Sequence, residues 1–112
     1  MAESRNLKLN AEVSLMPAYI VLGNWTQKGI ENVKQSPSRL DAAKKAFEAQ
    51  GGKMTGFYMT MGQYDFVVLS EFPNDESAAK AALGLGSAGG VRTQTLKAFS
   101  EADYRKILGS LP

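Results

Sequence analysis

The sequence predicts an α+β fold in which two helices cover one face of a four-stranded antiparallel sheet. Three observations predict it. The segments alternate as β-α-β-β-α-β, the strand segments are rich in β-branched and aromatic residues, and the first helical segment repeats apolar residues at helical spacing. Because crossovers are right-handed, this succession gives the strand order 4-1-3-2, with an extra helix at the C-terminal end. With 112 residues, the chain is long enough for one such domain.

The first strand and the first helix follow from local signals. Residues 18–25 (AYIVLGNW) are rich in β-formers, and Thr26 can cap a helix over residues 27–50. Ser36-Pro37 interrupts this helix, either with Ser36 as the cap of a new turn and Pro37 at its first position, or as a kink. A glycine pair then ends it.

The middle of the chain predicts a hairpin. Its strands span residues 53–61 and 64–72, and Gly62-Gln63 between them suits a two-residue turn. Side chains alternate along a strand. The second strand is therefore expected to place Met54 and Tyr58 on one face, and Phe57, Met59 and Met61 on the other.

The last third predicts a helix, a strand and a terminal helix. The alanine-rich helix covers residues 75–85, and the segment 84–90 (GLGSAGG) breaks it. The fourth strand covers residues 91–99, and Ser100 opens a terminal helix that ends near Gly109. The whole succession is the ferredoxin-like βαββαβ pattern.

The first fifteen residues are set apart from this domain. Residues 1–15 are polar and show no sustained period, whereas Met16-Pro17 resembles a second start. We therefore predict a flexible N-terminal extension over residues 1–15 and a single domain over residues 16–112, which should fold without the extension.

The chain contains no cysteine and no histidine. This excludes disulfides, thiolate nucleophiles, zinc hydrolases, ordinary haem sites and triads that use histidine as the base. Tyrosine and aspartate remain for proton transfer, and their ordinary pKa values of about 10 and 3.9 lie far from neutrality. We therefore expect no metal and no cofactor.

The charges do not form a nucleic-acid-binding surface. Thirteen basic and eleven acidic residues give a net charge of +2. In the first helix the two signs alternate, which is typical of a solvated face. No secretory segment and no apolar run of membrane-spanning length is present, so we predict a cytoplasmic protein. The alternating residues are Glu31, Lys34, Arg39, Asp41, Lys44, Lys45 and Glu48.

Three of the four strands are apolar on both faces, although helices cover only one. An uncovered apolar sheet face is typical of an interface. We therefore predict a homodimer or higher homo-oligomer that assembles through the sheet face away from the helices. The alternative is that the terminal helix or residues 1–15 fold over that face. The residues behind this prediction are Tyr19, Ile20, Val21, Leu22, Trp25, Phe57, Tyr58, Phe66, Val67, Val68 and Leu69.

The topology also predicts where polar and aromatic residues meet. The end of the first strand, the start of the third and the start of the fourth share one edge of the sheet, together with the N-terminus of the first helix. A small planar anion could bind there. As alternatives, Asp65 and Arg92 could form an internal ion pair, and Trp25 could belong to the core. The candidate ligand-binding residues are Asn24, Trp25, Thr26, Tyr64, Asp65 and Arg92.

With these segments identified, the sequence resembles the GYD-domain family of small bacterial and archaeal proteins. The resemblance covers about residues 16–109, and the Gly-Tyr-Asp signature corresponds to Gly62, Tyr64 and Asp65. It implies a ferredoxin-like fold. More loosely, the pattern is similar to the dimeric α+β barrel group, which includes cofactor-independent monooxygenases and small-ligand sensors.

The sequence is compatible with three functions. The first is a homo-oligomeric module that binds a small molecule or a protein partner. The second is a cofactor-independent oxygenase or isomerase that acts on a planar aromatic or quinone-like substrate, with Tyr64 or Asp65 moving the proton. The third is an accessory subunit of a larger assembly that docks through residues 1–15.

Overall fold

The computed structural model describes residues 16–112. The predicted extension over residues 1–15 lies outside the described residues, and the division of the chain into extension and domain stays a prediction. The elements are β1 (Ala18–Trp25), α1 (Gln27–Glu31), a 3₁₀ turn (Val33–Gln35), α2 (Ser36–Ala49), β2 (Lys53–Met59), β3 (Phe66–Glu71), α3 (Asp75–Ser87), β4 (Val91–Ala98) and α4 (Glu101–Gly109).

The four strands form one antiparallel sheet in the order β2-β3-β1-β4. This is the predicted order 4-1-3-2 viewed from the opposite edge, so the α+β architecture is confirmed. β1 is central and pairs with β3 on one side and with β4 along its whole length on the other. Within residues 16–112, no helix has both the length and the apolar character needed to cross a bilayer.

The hydrophobic core lies between the sheet and one layer of helices. β1 and β3 contribute alternate residues, as expected for a sheet with one face on the core. Phe47 is the single buried residue of α2, and its ring lies 5.1 Å from that of Phe72. The buried apolar residues are Tyr19, Val21, Phe47, Phe66, Val68, Phe72, Ala78 and Ala81.

Side chains cap three of the helices, two of them at the predicted residues Thr26 and Ser100. Thr26, Asn74 and Ser100 each accept a hydrogen bond from the backbone N–H three residues ahead, at 3.1, 2.9 and 3.1 Å. The prediction that Ser36 caps the second part of the broken helix is wrong. Gln35 occupies the capping position without a side-chain bond, because a 3₁₀ turn leads directly into α2.

The predicted two-residue turn between the second and third strands is also wrong. β2 ends at Met59 and β3 begins at Phe66, so residues 60–65 connect them. Asp65 explains the longer connection, because its N–H donates to the Gly23 carbonyl at 2.9 Å and holds the chain against β1. The Thr60 N–H closes the loop on the Asp65 carbonyl at 2.8 Å.

The alanine-rich helix continues further than predicted. α3 runs to Ser87 and therefore continues two residues beyond the predicted end at residue 85, through Gly86 of the segment that the sequence predicts as a break. A helical glycine costs only about 1 kcal/mol relative to alanine, which does not by itself end a helix. The chain reverses instead at Gly89, whose φ of +86° is the left-handed conformation common after helix ends.

A β-bulge in β2 changes which residues share a face. The register with β3 shifts between Met54 and Gly56. Because of this shift, Met54 and Phe57 both lie on the helix side, whereas Tyr58 lies on the opposite face. The predicted grouping of Met54 with Tyr58 is therefore wrong, since strict alternation does not hold across a bulge.

A hydrogen-bonded cluster ties β1, α3 and β4 together. The buried Tyr19 hydroxyl donates to Asp75 Oδ1 at 2.5 Å, and Lys97 Nζ lies 3.1 Å from the same oxygen. Burial, and then the hydrogen bond and negative charge of Asp75, raise the pKa of Tyr19 to about 12. The hydrogen bonds from Tyr19 and Lys97 lower the pKa of Asp75.

This cluster predicts a specific loss of stability at high pH. The folded pKa of Tyr19, about 12, exceeds the ordinary value of 10.0. The stabilisation is therefore complete below pH 10 and declines as the pH rises towards 12. Tyr19→Phe should lower stability by about 1 kcal/mol at pH 7, where one hydrogen bond is lost, and should remove this decline. Melting temperatures of the unaltered chain and of Tyr19→Phe, measured between pH 7 and 11.5, test this prediction. An equally steep decline in the variant would contradict it.

Candidate functional site

Five of the six predicted site residues line one cleft at the end of the sheet. This sheet-end cleft has a volume of about 540 Å³. It forms because the end of β1 pairs with the start of β4, which places Asn24 opposite Arg92 and Trp25 opposite Val91. Its lining residues are Leu22, Asn24, Trp25, Thr26, Gln27, Tyr64, Arg92, Thr93 and Gln94.

Asp65, the sixth predicted residue, does not line the cleft but fastens the start of β3 to β1. Its carboxylate accepts a hydrogen bond from the Trp25 N–H at 3.0 Å, and its own N–H donates to Asn24 Oδ1 at 3.1 Å. No ion pair within residues 16–112 joins Asp65 to Arg92. The structure therefore contradicts the alternative in which Asp65 and Arg92 form an internal ion pair.

Trp25 and Arg92 lie on opposite faces of the sheet. The Trp25 ring packs against the core on the helix side, with its centroid 6.0 Å from that of Phe66. Arg92 pairs with Asn24, the neighbour of Trp25, and strand neighbours face opposite ways. The indole therefore borders the cleft without offering its face to an anion held at Arg92.

Several cleft groups already have partners. The Tyr64 hydroxyl donates to Gln94 Oε1 at 3.0 Å. The Thr26 hydroxyl donates to the Gly89 carbonyl at 2.7 Å, which ties the start of α1 to the turn before β4. The exposed Arg92 guanidinium makes no hydrogen bond or ion pair with another side chain of residues 16–112. It is the cation of the cleft that a ligand can reach.

The exposure of Arg92 predicts that Arg92→Ala has little effect on stability. Because Arg92 is exposed and lacks a described partner, the free energy of unfolding should change by less than about 0.5 kcal/mol. Urea unfolding checks this value. A loss of several kcal/mol would reveal a buried charge pair and contradict the description of Arg92 as free to meet a ligand.

A larger cavity, for which the sequence gives no signal, lies on the helix side of the sheet. This inter-layer cavity lies between α2, the sheet and the end of α3, and has a volume of about 760 Å³. Lys28 and Arg39 line it. The sequence predicts a solvated helix face for Arg39, because acidic residues alternate with basic ones along this helix. No group of three acidic side chains that could hold a metal ion occurs in residues 16–112.

Two apolar surfaces remain accessible. The open sheet face, which is the face away from α2 and α3, exposes Tyr58 to 60% and Leu96 to 40%, with Ile20 and Leu69 half-buried between them. α4 makes no extensive contact with another element of residues 16–112. Its exposed apolar residues recur at helical spacing and are Tyr104, Ile107 and Leu108, followed by Leu111.

Comparisons with known proteins identify relatives of this chain. The model of the GYD domain matches residues 19–108. A protein of Thermus thermophilus, the glutamine synthetase and cystathionine beta-lyase binding protein, is 36% identical over 89 residues. The match covers 79% of this chain and 94% of that relative.

Solved structures share the fold. The crystal structure of TTHA0845 from Thermus thermophilus matches with a TM-score of 0.50 and 26% identity, over 76% of this chain and 95% of that one. The leucine response regulatory protein LrpA of Mycobacterium tuberculosis matches with a TM-score of 0.52 and 16% identity. The latter match covers 81% of this chain and 55% of the regulator, and it concerns the fold alone.

Proposed function

The chain belongs to the GYD-domain family, and on this basis we propose that it is a homo-oligomeric module that binds metabolic enzymes in the cytoplasm. The observation that carries the proposal is the 36% identical relative, whose name states that it binds glutamine synthetase and cystathionine beta-lyase. Enzymes of these two classes are the partners we propose for this chain.

The helix α4 is the element we assign to enzyme binding. Tyr104, Ile107 and Leu108 are 56%, 44% and 45% exposed, and their spacing places them on one side of the helix. An amphipathic helix of this kind binds by laying its apolar side into a groove of the partner. Residues 1–15, the docking arm of the accessory-subunit hypothesis, lie outside the described residues.

The enzyme-binding proposal is tested by biolayer interferometry with the immobilised chain and the purified glutamine synthetase and cystathionine beta-lyase of its source organism. Ile107→Glu should weaken binding by at least about tenfold, because it places a charge in the apolar contact. Leu83→Glu is the matched control, since Leu83 is 74% exposed on α3. Failure of both enzymes to bind the unaltered chain would refute the proposal.

The open sheet face is the surface we assign to self-association. Ile20 and Leu22 of β1, Val67 and Leu69 of β3 and Leu96 of β4 share it. A continuous apolar face of this kind favours burial against a second copy.

Light scattering should give at least a dimer at micromolar concentration. Leu96→Glu should convert this oligomer to a monomer, whereas Leu83→Glu should not. A monomeric unaltered chain would contradict this part of the proposal.

The sheet-end cleft supports a second candidate function, the binding of a small planar anion. The accessible Arg92 beside the Asn24 side chain favours it, because a guanidinium can form two hydrogen bonds to a carboxylate. The oxygenase or isomerase hypothesis lacks such support. Both residues proposed for proton transfer are engaged, Tyr64 with Gln94 and Asp65 with the Trp25 backbone.

A further inference from the structure

The inter-layer cavity has the size and lining of a small-molecule site. Its volume of about 760 Å³ falls in the range of ligand pockets, roughly 300–1,000 Å³. Its wall is formed on the sheet side by Phe57, Phe66 and Val68, and on the helix side by Leu40 and Leu85. An apolar wall of this kind suits an apolar ligand body.

The cavity exists because α2 packs on the sheet at one end only. Phe47, near its C-terminal end, is 1% exposed and fills the space beside Phe72. Towards the other end, Leu40 and Ala43 belong to the same apolar side of the helix but are only half-buried. Ala43 on the helix and Phe57 on the sheet both line the cavity, so the two apolar layers face each other across it.

Two cations lie against the turn before β4, which borders the cavity. Arg39 Nη1 lies 3.0 Å from the position of a Cβ at Gly90, and Lys28 Nζ lies 3.5 Å from that of a Cβ at Gly89. The two charges are therefore held over adjacent residues of one turn. Lys28 and Arg39 both line the cavity, together with Gly90.

Neither cation has an acidic partner in the described structure. The ion pairs of residues 16–112 involve Lys80, Lys97 and Arg105 instead. Arg39 donates to the Asn32 carbonyl at 2.7 Å, which fixes the guanidinium and leaves further N–H groups available. Lys28 Nζ lies 3.5 Å from the Ala88 carbonyl, a long contact that leaves its charge unneutralised.

We propose that the inter-layer cavity binds an apolar chain that carries one terminal carboxylate. The chain lies between α2 and the sheet, and the carboxylate binds Arg39 and Lys28 beside the Gly89-Gly90 turn. The apolar wall excludes a polar ligand body, and the paired positive charges select an anionic end. This site is separate from the proposed enzyme-binding helix and from Arg92 in the sheet-end cleft.

Calorimetric titration of the full chain tests the ligand class. The probes are decanoate, dodecanoate and tetradecanoate below their critical micelle concentrations, with dodecanol and dodecyl phosphate for comparison. We expect micromolar binding of dodecanoate and binding of dodecanol at least about tenfold weaker, because the alcohol forms no ion pair. Equal binding of acid and alcohol, tighter binding of the phosphate, or no binding of any carboxylate would overturn the proposal.

Substitutions that remove a positive charge test where the carboxylate of the ligand binds. Arg39→Gln retains a side-chain N–H for Asn32 but loses the charge, and it should weaken dodecanoate binding by about tenfold. Lys80→Gln is the control, because Lys80 is an exposed cation paired with Glu76 elsewhere on the surface. An equal effect of the two variants would indicate non-specific attraction and refute the site.

Methionine methyl groups locate the apolar body and do not depend on a variant that folds. Met54 lines the cavity, whereas Met59 and Met61 are 70% and 93% exposed. In methyl NMR spectra, dodecanoate should shift the Met54 resonance and leave the other two unchanged. Ala43→Trp should fill the cavity and abolish binding. An unmoved Met54 resonance, or dodecanoate binding retained in folded Ala43→Trp, would place the ligand elsewhere and contradict the proposal.

Discussion

Replacing Phe47 with alanine should remove about 3–5 kcal/mol of folding free energy, the usual cost of truncating a fully buried phenylalanine. Phe47 is the one buried residue of α2, at 1% exposure. It packs on Phe72, whose ring in turn meets that of Tyr19 at 5.8 Å. The variant therefore loses the anchor of the longest helix as well as a set of aromatic contacts.

Thermal and urea unfolding measure this effect. A loss of that size lowers the melting temperature of a domain this small by roughly 15 °C or more. Phe99→Ala is the matched control, because Phe99 is 62% exposed and the chemical change is the same. A Phe47→Ala protein that melts within a few degrees of the unaltered chain would show that α2 does not depend on this contact.

The second large effect is expected at Gly29, where a methyl group has no space. A Cβ at this position would lie 1.9 Å from the Gly90 carbonyl oxygen, which is backbone and cannot rotate away. The same oxygen accepts the Thr26 N–H at 3.1 Å. Gly29→Ala must therefore separate α1 from the turn before β4, at a cost of about 3 kcal/mol.

Gly86→Ala is the control for this substitution. Gly86 also lies in a helix, but nothing stands within 4 Å of its Cβ position. Alanine there should stabilise the protein by about 0.5–1 kcal/mol, because it lowers the entropy lost on folding without a clash. Urea denaturation of both variants should give shifts of opposite sign. A neutral Gly29→Ala would contradict the close approach of α1 to Gly90.

The sequence predicts those features of the fold that depend on local signals. The β-formers of residues 18–25 give β1 with its bounds, and the caps at Thr26 and Ser100 are in place. Errors arise where a distant contact overrides a local preference. Asp65 bonds to β1 and lengthens the β2–β3 connection, and the bulge after Met54 reverses the faces of β2.

The cleft and the cavity show the same contrast between what the sequence predicts and what depends on distant contacts. Pairing of β1 with β4 brings Asn24 and Arg92 together, as the strand topology predicts. The placement of Lys28 and Arg39 at one cavity has no such sequence signal, since the two residues lie on different helices and acidic residues alternate with basic ones along the chain. Both lie against the Gly89-Gly90 turn in the folded chain.

The bulge in β2 also affects how readily the edge of the sheet can pair with another strand. β2 and β4 are the edge strands, and an edge strand with unpaired backbone groups is a template for strand addition and aggregation. The irregularity between Met54 and Gly56 interrupts the regular hydrogen-bond spacing on one edge. Arg92 and Lys97 place charges on the other. Both edges thus disfavour the addition of a further strand, which would restrict the self-association that we propose to the open sheet face.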